Sequence, residues 1–248
     1  MAKQSGLGDR LYVAGYDLSG DIGSLAKIGG GNTPLEVTAI DKSAVERIGG
    51  RRDGGIDFTA YFNPSANQEH DRLSPQAGTD AIVTYFRGTT LGDAAASLVG
   101  KQVTYDGKRE ESGAFTFDVS AQANGFGLEW GRQLTAGRRV DSAPTNGAGV
   151  DFGIGSTAFG LQAYLHVFAF TGTSVTVKLQ ESNDNGGGDP YADVTGGGFT
   201  AATGITSQRI ATAAGQTVKR WLRVVTTGTF SSADFVVMVN RNDTVTVF

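Results

Sequence analysis

The sequence predicts an all-β protein, and three observations support this prediction. Glycine contributes 37 of the 248 residues, whereas proline contributes only 5 and charged residues make up 19% of the chain. Apolar and polar residues alternate with a period of two in many short segments, as they do in half-buried strands. Charged, straight-chain stretches typical of helices are nearly absent. Together these features favour short strands joined by glycine turns.

The first half of the chain predicts one β-sandwich or barrel. In "GAFTFDVSAQ", Phe115, Phe117 and Val119 share one face of a predicted antiparallel strand with Ala121. Four further segments with strand character precede residue 130, at 34–40, 55–62, 80–88 and 100–107. The pattern also predicts a long loop over residues 41–56, with glycines at both of its arms.

The second half predicts another β-sandwich. Around residue 140 the alternation stops, and "TAGRRVDSAPTNGAGVDFG" has the small, polar composition of a linker. We therefore expect one β domain at 1–140, a linker at 141–150 and a second domain at 151–248. Its predicted strands are "FGLQAYLHVFAF", "TSVTVKLQES", "QRIAT", "KRWLRVVTTG" and "ADFVVMVNR". Helix is predicted at two places at most, "SAVERI" and "LGDAAASLVG".

Composition restricts the classes of function. The net charge of −4 gives no electrostatic reason for tight binding to nucleic acid or to anionic lipid. The chain has no cysteine, which excludes disulfides, thiolate metal sites and cysteine nucleophiles. The opening "MAKQSGLGDRLYVAG" lacks the apolar core of a signal peptide, and no apolar run is long enough for a membrane span. We therefore expect assembly in a reducing cytosol without a membrane.

No catalytic constellation is apparent, so we do not expect an enzyme. The chain has no G-x-S-x-G motif and only two histidines, His70 and His166. His166 lies inside "YLHVF" and is expected to be packed, whereas His70 in "NQEHDRLSP" is expected to be solvated. The loops "GIGSTAFG" and "GGGNTP" lack the strand, glycine register and helix that nucleotide loops need, and "LVGKQV" lacks the serine or threonine after lysine. No cofactor is expected.

The segment "NDNGGGDPYAD" contains the best candidates for a metal site. Asp184, Asp189 and Asp193 offer the hard oxygen ligands that calcium prefers. The same composition is also typical of a long hairpin loop, where asparagine, aspartate and glycine are favoured for their turn geometry. We prefer the loop interpretation and keep the three carboxylates as weak calcium candidates.

The predicted loop at 41–56 concentrates charge in a chain that is otherwise sparsely charged. An RNA-binding element of the RGG type would occur as repeated tracts in a basic domain, whereas this one is isolated and flanked by acids. A solvated or interface loop is the better interpretation, with charged pairs that fix the partner and the register. The candidate interface residues are Asp41, Lys42, Glu46, Arg47, Arg51, Arg52 and Asp53.

Residues 10–130 resemble the major tail proteins, or tail tube subunits, of long-tailed non-contractile bacteriophages. The resemblance lies in "YVAGYDLSGDIGSLAKI", "PLEVTAIDKSAVERIGGRRDGGIDFTAYFNP", "DAIVTYFRG" and "SGAFTFDVSAQANG". The C-terminal half resembles galactose-binding-like jelly rolls through "VTVKLQESNDNGGGDPYADVTGG" and "VKRWLRV", where Trp221 occupies a position usually held by tyrosine or tryptophan. These resemblances imply a tail-tube-type β domain and a jelly-roll-like domain on the tube exterior.

The tail resemblance implies a structural virion protein that self-assembles. Its partners would be further copies in hexameric rings stacked helically, a tape-measure protein, and tail-tip and terminator proteins. The tube would be assembled in the host cytoplasm and would serve as a conduit for double-stranded DNA during ejection, without specific binding. A hidden duplication would imply three copies per ring instead of six.

Two other functions stay open at this point. A carbohydrate-binding or adhesion module on a virion or cell surface is suggested by the jelly-roll pattern, with Tyr191 and Phe199 as the loop aromatics of that region. A capsid or tail-tip component could use the same β domains in another symmetry.

Overall fold

The computed structural model describes residues 5–153 and 155–245. Its secondary structure is nearly all strand, which confirms the all-β fold class. The predicted domain ranges also contain residues 1–4, 154 and 246–248, which lie outside the described residues. Within the described part, a single short helix, α1, spans Glu69–Leu73. The strands are β1 Arg10–Val13, β2 Tyr16–Asp17, β3 Ile22–Glu36, β4 Arg47–Tyr61, β5 Asp80–Phe86, β6 Ala94–Arg109, β7 Phe115–Ala123, β8 Glu129–Gln133, β9 Arg139–Asp141, β10 Val150–Asp151, β11 Leu161–Ser182, β12 Ala192–Gly198, β13 Thr206–Ala211 and β14 Trp221–Arg241.

The chain divides into two compact units that alternate along the sequence. Unit 1 comprises Met1–Gly20, Ile82–Ser97 and Glu129–Phe248, and unit 2 comprises Asp21–Ala81 and Leu98–Leu128. This division differs from the consecutive domains expected at 1–140 and 151–248. A composition shift along the chain detects a linker, but it cannot detect a unit that is assembled from separate segments.

Unit 1 is organised around a long ribbon of two strands. β11 and β14 pair antiparallel along nearly their whole length, from Leu161 opposite Arg241 to Ser182 opposite Trp221. β12 and β13 pair with the other edge of β11, and β8, β9 and β10 pair with β14. The predicted strands "FGLQAYLHVFAF" and "TSVTVKLQES" are therefore two halves of one strand, β11. In the same way, "KRWLRVVTTG" and "ADFVVMVNR" are two halves of β14.

Glycines interrupt the middle of this ribbon. Gly172 and Gly228 have φ angles of 151° and 123°, in the region that favours glycine, and the pairing shifts register at Gly172. Side chains from both halves of each strand belong to one apolar core. On β11 these are Leu161, Ala163, Leu165 and Val167 before the interruption and Val175, Val177 and Leu179 after it. The interruption thus lets one ribbon bend and supply two layers around a single core.

The predicted linker at 141–150 lies inside unit 1. Asp141 ends β9 and Val150 begins β10, and both strands pair with β14. Arg139 donates two hydrogen bonds of 2.8 Å to the Asp141 carboxylate, which also accepts one of 2.7 Å from Thr226 Oγ1. Strands of two and three residues are too short to produce an alternating pattern, so the sequence here indicates only a loop.

Unit 2 contains a sheet in the order β3-β4-β7-β6. Among the described strands, β3 pairs only with β4, so its other edge is open. α1 lies in the connection between β4 and β5, and the Leu73 carbonyl at its end accepts a 2.9 Å hydrogen bond from Gln102 Nε2 on β6. One face of the sheet buries Phe58, Phe117 and Val119.

Several local predictions are corrected. "SAVERI" is a turn and loop ending at the start of β4, and "LGDAAASLVG" enters β6, so both predicted helices are wrong. Both segments continue into paired strands, β4 with β3 and β6 with β8, and this pairing overrides their weak local helix signal. The strand predicted at 34–40 is the end of β3, which stops at Glu36, and the loop predicted at 41–56 becomes β4 from Arg47 onward. Glycine-rich residues that normally disfavour strands are held there by pairing with β3.

Candidate functional site

The two histidines are both engaged in packing. His166 is fully buried and accepts a 3.1 Å hydrogen bond from the Gly15 amide at Nδ1. Its Nε2 therefore carries the proton in the neutral ring and donates to Thr84 Oγ1 at 2.8 Å. Burial lowers the pKa of His166 to about 3. As predicted, this is a packed histidine, and it lacks the exposure of a catalytic base.

His70 is half-buried, contrary to the prediction that it is solvated. Its Nδ1 lies 2.8 Å from the Tyr105 hydroxyl, and its ring lies 4.8 Å from that of Phe62. The Tyr105 hydroxyl donates to Glu69 Oε1 at 2.8 Å, and burial raises the pKa of the Glu69 carboxyl. These groups attach α1 to the sheet of unit 2. The turn residues around His70 gave no signal of this packing.

The three calcium candidates are not brought together as a metal site. Asp184 accepts hydrogen bonds from the amides of Gly188 and Asp189, which lower the pKa of its carboxyl. Asp189 accepts from Lys219 Nζ at 2.7 Å, and Asp193 accepts from Gln180 Nε2 at 2.8 Å. Within the described residues, no group of three metal-ligating side chains is placed to hold an ion. The carboxylates stabilise the loop, as its turn composition indicated.

The aromatic residues considered for carbohydrate binding differ in their surroundings. Phe199 is buried in the core of unit 1 and has no face for a sugar. Tyr191 is partly exposed, but the Arg223 guanidinium lies 4.1 Å from its ring centroid and its hydroxyl donates to Asn185 at 2.7 Å. Trp221 is partly buried at the start of β14. These three residues therefore do not form an open aromatic platform.

The predicted interface charges lie on a β-arm, which we define as residues 29–54. It comprises the distal part of β3, the connection 37–46 and the distal part of β4. The pairing of β4 with β7 covers only Gly55 to Tyr61, so in the described structure the arm is a two-stranded ribbon with both edges open. A lone two-stranded hairpin is at best marginally stable in water. A surface of this kind is suited to pairing with another chain.

The β-arm has one apolar side and one charged side. Leu35 lies opposite Ile48, and the Val37 amide donates to the Glu46 carbonyl at 3.0 Å. Because directly opposite residues share a face and successive residues alternate, Leu35, Val37 and Ile48 point to one side. All three are about half exposed, and Ile40 and Val45 add apolar surface at the tip.

The charges at the distal end of the arm largely balance one another. Glu36 lies opposite Arg47 on the side away from Leu35, whereas Glu46 lies opposite Val37 on the apolar side and its Oε1 lies 3.9 Å from Lys42 Nζ. Both partners of the second pair are exposed, so the pair contributes little to stability. The charge-rich face is therefore a solvated face, and the apolar face is the unusual feature of the arm.

Of the remaining candidates, three lie nearer the root of the β-arm and one lies in its turn. Arg51 is exposed, whereas Arg52 is half-buried opposite Asn32 and has its Cβ next to Gly127. Asp53 accepts a 2.7 Å hydrogen bond from the Gly54 amide, and Asp41 is exposed in the turn. The structure thus gathers all seven predicted residues on one projecting element, but not as one cluster.

The root of the β-arm depends on glycine. Gly30 lies opposite Gly54, and a Cβ at Gly30 would lie 2.6 Å from the Gly54 Cα. A Cβ at Gly54 would in turn lie 2.5 Å from the Leu128 Cβ. By contrast, Gly29 and Gly31 have open space where a Cβ would lie. Two of the glycines are therefore required by close packing, which explains why this strand lacks an ordinary strand composition.

The face of the unit 2 sheet opposite its apolar face is polar. Asp57 accepts a 2.6 Å hydrogen bond from Ser120 Oγ, and Asp118 accepts one of 2.8 Å from Thr59 Oγ1. Asp118 also lies directly opposite Asp106, a cross-strand pairing of like charges that is normally destabilising. The three aspartates of this face, Asp57, Asp106 and Asp118, are matched in number by lysines, so the face has no basic stripe.

Sequence reasoning missed the apolar side of the β-arm. It found the charges because their density is visible in the sequence, but Leu35, Val37 and Ile48 are too few to form a pattern alone. Only the register between β3 and β4 brings them to one face. In "LEV" and "RI" a charged residue stands next to apolar ones, and this local alternation is the signal that could have indicated an apolar side.

Comparisons with known proteins give only distant similarities. No protein-family model matches the chain, and no curated protein matches it in sequence. Among solved structures, it is similar to the Dit protein of phage SPP1, described as a paradigm of the hub adsorption apparatus in phages that infect Gram-positive bacteria. The identity is 10%, the TM-score is 0.33, and the alignment covers 94% of this chain and 98% of that chain.

The phage P2 baseplate in its activated conformation is similar at the same level. The structure with Ca gives 12% identity and a TM-score of 0.33, and the structure with Sr gives 11% and 0.34; each alignment covers 95% of this chain and 99% of that chain. These scores are too low to support an argument about function. Among the described residues, no helix has the length and apolar character needed to cross a membrane.

Proposed function

We propose that this chain is a structural subunit of a bacteriophage tail that assembles with copies of itself into stacked rings forming the tail tube. The observation that carries the proposal is the β-arm, with an unpartnered apolar side and two open edges. The sequence resemblance of residues 10–130 to tail tube subunits is the reason for proposing stacked rings and not another kind of assembly.

The open edge of β3 supports contacts within a ring. This strand has 15 residues and pairs with only one neighbour in the described structure. Long unpaired edges are normally shortened, covered or charged, because they recruit strands from other chains. A neighbouring copy that adds its sheet to this edge would extend β3-β4-β7-β6 around the ring, and repetition by rotation would close it.

The polar face of the same sheet is suited to the wall of a DNA conduit. Asp57, Asp106 and Asp118 balance Lys27, Lys101 and Lys108 on this face, so it has no basic excess. A basic wall would bind phosphates and slow the passage of DNA, whereas a wall without net positive charge lets it slide. This face would then line the channel, and the apolar face would remain in the wall of the tube.

The proposed role is passive and needs no enzyme chemistry. The other partners expected from the resemblance are a tape-measure protein inside the tube and tail-tip and terminator proteins at its ends. Six copies per ring, assembly in the host cytoplasm and a final location in the virion tail belong to the same proposal. The carbohydrate-binding alternative loses one of its two loop aromatics, because Phe199 is buried.

Electron microscopy of the purified protein, concentrated and incubated at moderate salt, tests the proposal. Stacked rings with a central channel are the expected result, and the ring can then be counted. The double variant Arg47→Glu/Arg51→Glu should fold normally but assemble more weakly, because it reverses two exposed charges of the β-arm. Arg10→Glu, at an exposed position on β1 of unit 1, is compared with the single variant Arg47→Glu as a control for the same added negative charge.

Two results would count against the tube. Single rings that never stack would indicate a tail-tip component with another symmetry. A protein that stays monomeric at high concentration, even when purified tail-tip initiator from the same particle is added, would contradict self-assembly and return attention to a binding module.

A further inference from the structure

The chain contains three asparagines that are each followed by glycine, namely Asn124, Asn146 and Asn185. Asparagine is a thermolabile residue, and its side-chain amide is open to attack by the next main-chain nitrogen when that next residue has no Cβ to block the approach. The three pairs have the same local chemistry in the unfolded chain. Differences between them in the native protein therefore come from the fold.

The reaction needs only the protein and water. The glycine nitrogen loses its proton to the solvent, attacks Cγ of the asparagine and forms a new N–C bond. The bond from Cγ to Nδ2 breaks, and Nδ2 takes up a proton and leaves as ammonia, so that a cyclic succinimide remains. Water then adds to one of the two ring carbonyls, and opening of the ring leaves aspartate or isoaspartate in the chain.

The fold engages the glycine amide at two of the three sites. The Gly147 amide donates a 2.7 Å hydrogen bond to the Val224 carbonyl on β14. The Gly186 amide donates one of 2.8 Å to Ser182 Oγ. An N–H that is bonded in this way must be released by local opening before its nitrogen can lose the proton and attack, so the native structure slows the reaction of both pairs.

The third pair lies in an exposed turn just after the end of β7 at Ala123. Asn124 and Gly125 are both exposed, and Gly125 has a φ angle of 79°. Within the described residues, no acceptor takes a hydrogen bond from the Gly125 amide. The Asn124 side chain is held by an exposed contact, a 2.9 Å hydrogen bond from Nδ2 to Asp80 Oδ1. The nitrogen that attacks is therefore available without any opening of the structure.

We propose that Asn124 is a site of spontaneous deamidation in the native protein, and that the hydrogen bonds of Gly147 and Gly186 protect Asn146 and Asn185. The need to open such a hydrogen bond should slow a site by about tenfold, which corresponds to about 1.4 kcal/mol. The product should therefore form at least tenfold faster at Asn124 than at the other two positions. This inference does not depend on the proposed tube.

The reaction changes the surroundings of the root of the β-arm. It replaces the amide that donates to Asp80 with a carboxylate, so that two like charges face each other. The isoaspartate product also lengthens the main chain by one methylene, a few residues before Leu128, which packs closely against Gly54 at the arm root. The modified protein should therefore have a looser arm root, and hydrogen exchange of the arm amides should become faster as the protein ages.

Incubation of the native protein in mildly alkaline buffer, followed by peptide mass mapping, tests the proposal. Alkaline conditions favour loss of the amide proton, and digestion under mildly acidic conditions prevents further reaction during the work-up. Each conversion of an amide to a carboxylic acid raises the mass of its peptide by about 1 Da. Chromatography separates the aspartate and isoaspartate forms of the same peptide. The same incubation in concentrated urea is the control for the effect of the fold.

In the native protein, product should accumulate at Asn124 at least tenfold faster than at Asn146 or Asn185, and in urea the three rates should converge. Equal rates at the three sites of the native protein would overturn the proposal. A tenfold preference that persists in urea would also overturn it, because the local sequence and not the fold would then be the cause.

The variant Asn124→Gln tests the effect on the β-arm. Its side chain keeps the amide but is one methylene longer, so the attack would need a larger ring and the reaction should stop at this position. After equal incubation, the arm amides of the parent should exchange hydrogen faster than those of Asn124→Gln. Equal exchange in the two aged proteins, with Asn124 of the parent fully converted, would overturn the effect on the arm root.

Discussion

Truncation of the apolar side of the β-arm should weaken assembly without unfolding the subunit. We consider the double variant Leu35→Ala/Ile48→Ala. The two side chains lie opposite each other and are 48% and 54% exposed, so about half of each remains to be buried by a partner. Complete burial of a leucine or isoleucine contributes about 2 kcal/mol, so the half still exposed contributes about 1 kcal/mol for each residue.

The loss for the double variant is therefore about 2 kcal/mol for each arm contact. Since about 1.4 kcal/mol corresponds to a factor of ten, each contact should weaken about 30-fold. The critical concentration for assembly should rise by a similar factor, because growth adds copies through repeated contacts of the same kind. Sedimentation of assembled protein over a dilution series measures this concentration directly.

Two controls define the result. Val140→Ala removes a comparably exposed apolar side chain from unit 1 and should leave the critical concentration unchanged. The double variant should still unfold cooperatively in urea under non-assembling conditions, with a loss of no more than about 2 kcal/mol from the half of each side chain that is already buried. An unchanged critical concentration in Leu35→Ala/Ile48→Ala would refute the argument, because the apolar side would then contribute nothing to assembly.

Three further variants test other parts of the structure. Phe199→Ala should lower the free energy of unfolding by about 3–5 kcal/mol in urea denaturation, as expected for a core residue; a change below about 1 kcal/mol would contradict its burial. Gly30→Ala should impair the β-arm because its Cβ would contact Gly54, whereas Gly29→Ala, with open space, should not; hydrogen exchange of the arm amides distinguishes them. For His166, the lowered pKa means that the unfolded state binds a proton first, so stability should fall by about 1.4 kcal/mol per pH unit below about 6.5. Urea denaturation at pH 7 and 5 should show a smaller loss for His166→Gln, and equal losses would contradict the assignment.

The sequence predicts strands best where one face is buried. The alternation at 115–121 corresponds to β7, whose Phe117, Val119 and Ala121 face a core, and the apolar segment at 80–88 corresponds to β5, which is buried along both faces. It fails for the distal part of β4, where both faces are exposed and glycine and arginine replace the apolar period. The two-unit organisation could not be predicted either, because it depends on pairing between distant segments such as β8 and β6.

The candidate surface was only half predictable for a similar reason. The density of charge is a local property of the sequence, and it marked this segment, although β4 begins at Arg47 inside the predicted loop. The apolar side is a property of two strands in register, so it becomes visible only when Leu35 is known to lie opposite Ile48. Local patterns therefore find where a chain projects, whereas the chemistry of the projection needs the pairing.

The two sides of the β-arm should respond to salt in opposite ways, which decides which side provides the adhesion. Contacts between exposed charges such as Arg47 and Arg51 are screened at high ionic strength, so the defect of Arg47→Glu/Arg51→Glu should shrink as salt is raised. Apolar contacts are not screened, and kosmotropic salts such as sulfate strengthen them, so the defect of Leu35→Ala/Ile48→Ala should persist. The paired charges of Glu36 with Arg47 and of Lys42 with Glu46 leave the distal end of the arm nearly neutral. We therefore expect the apolar side to supply most of the contact energy and the charges to select the register, and a charge-reversal defect that is larger than the apolar defect at high salt would reverse this order.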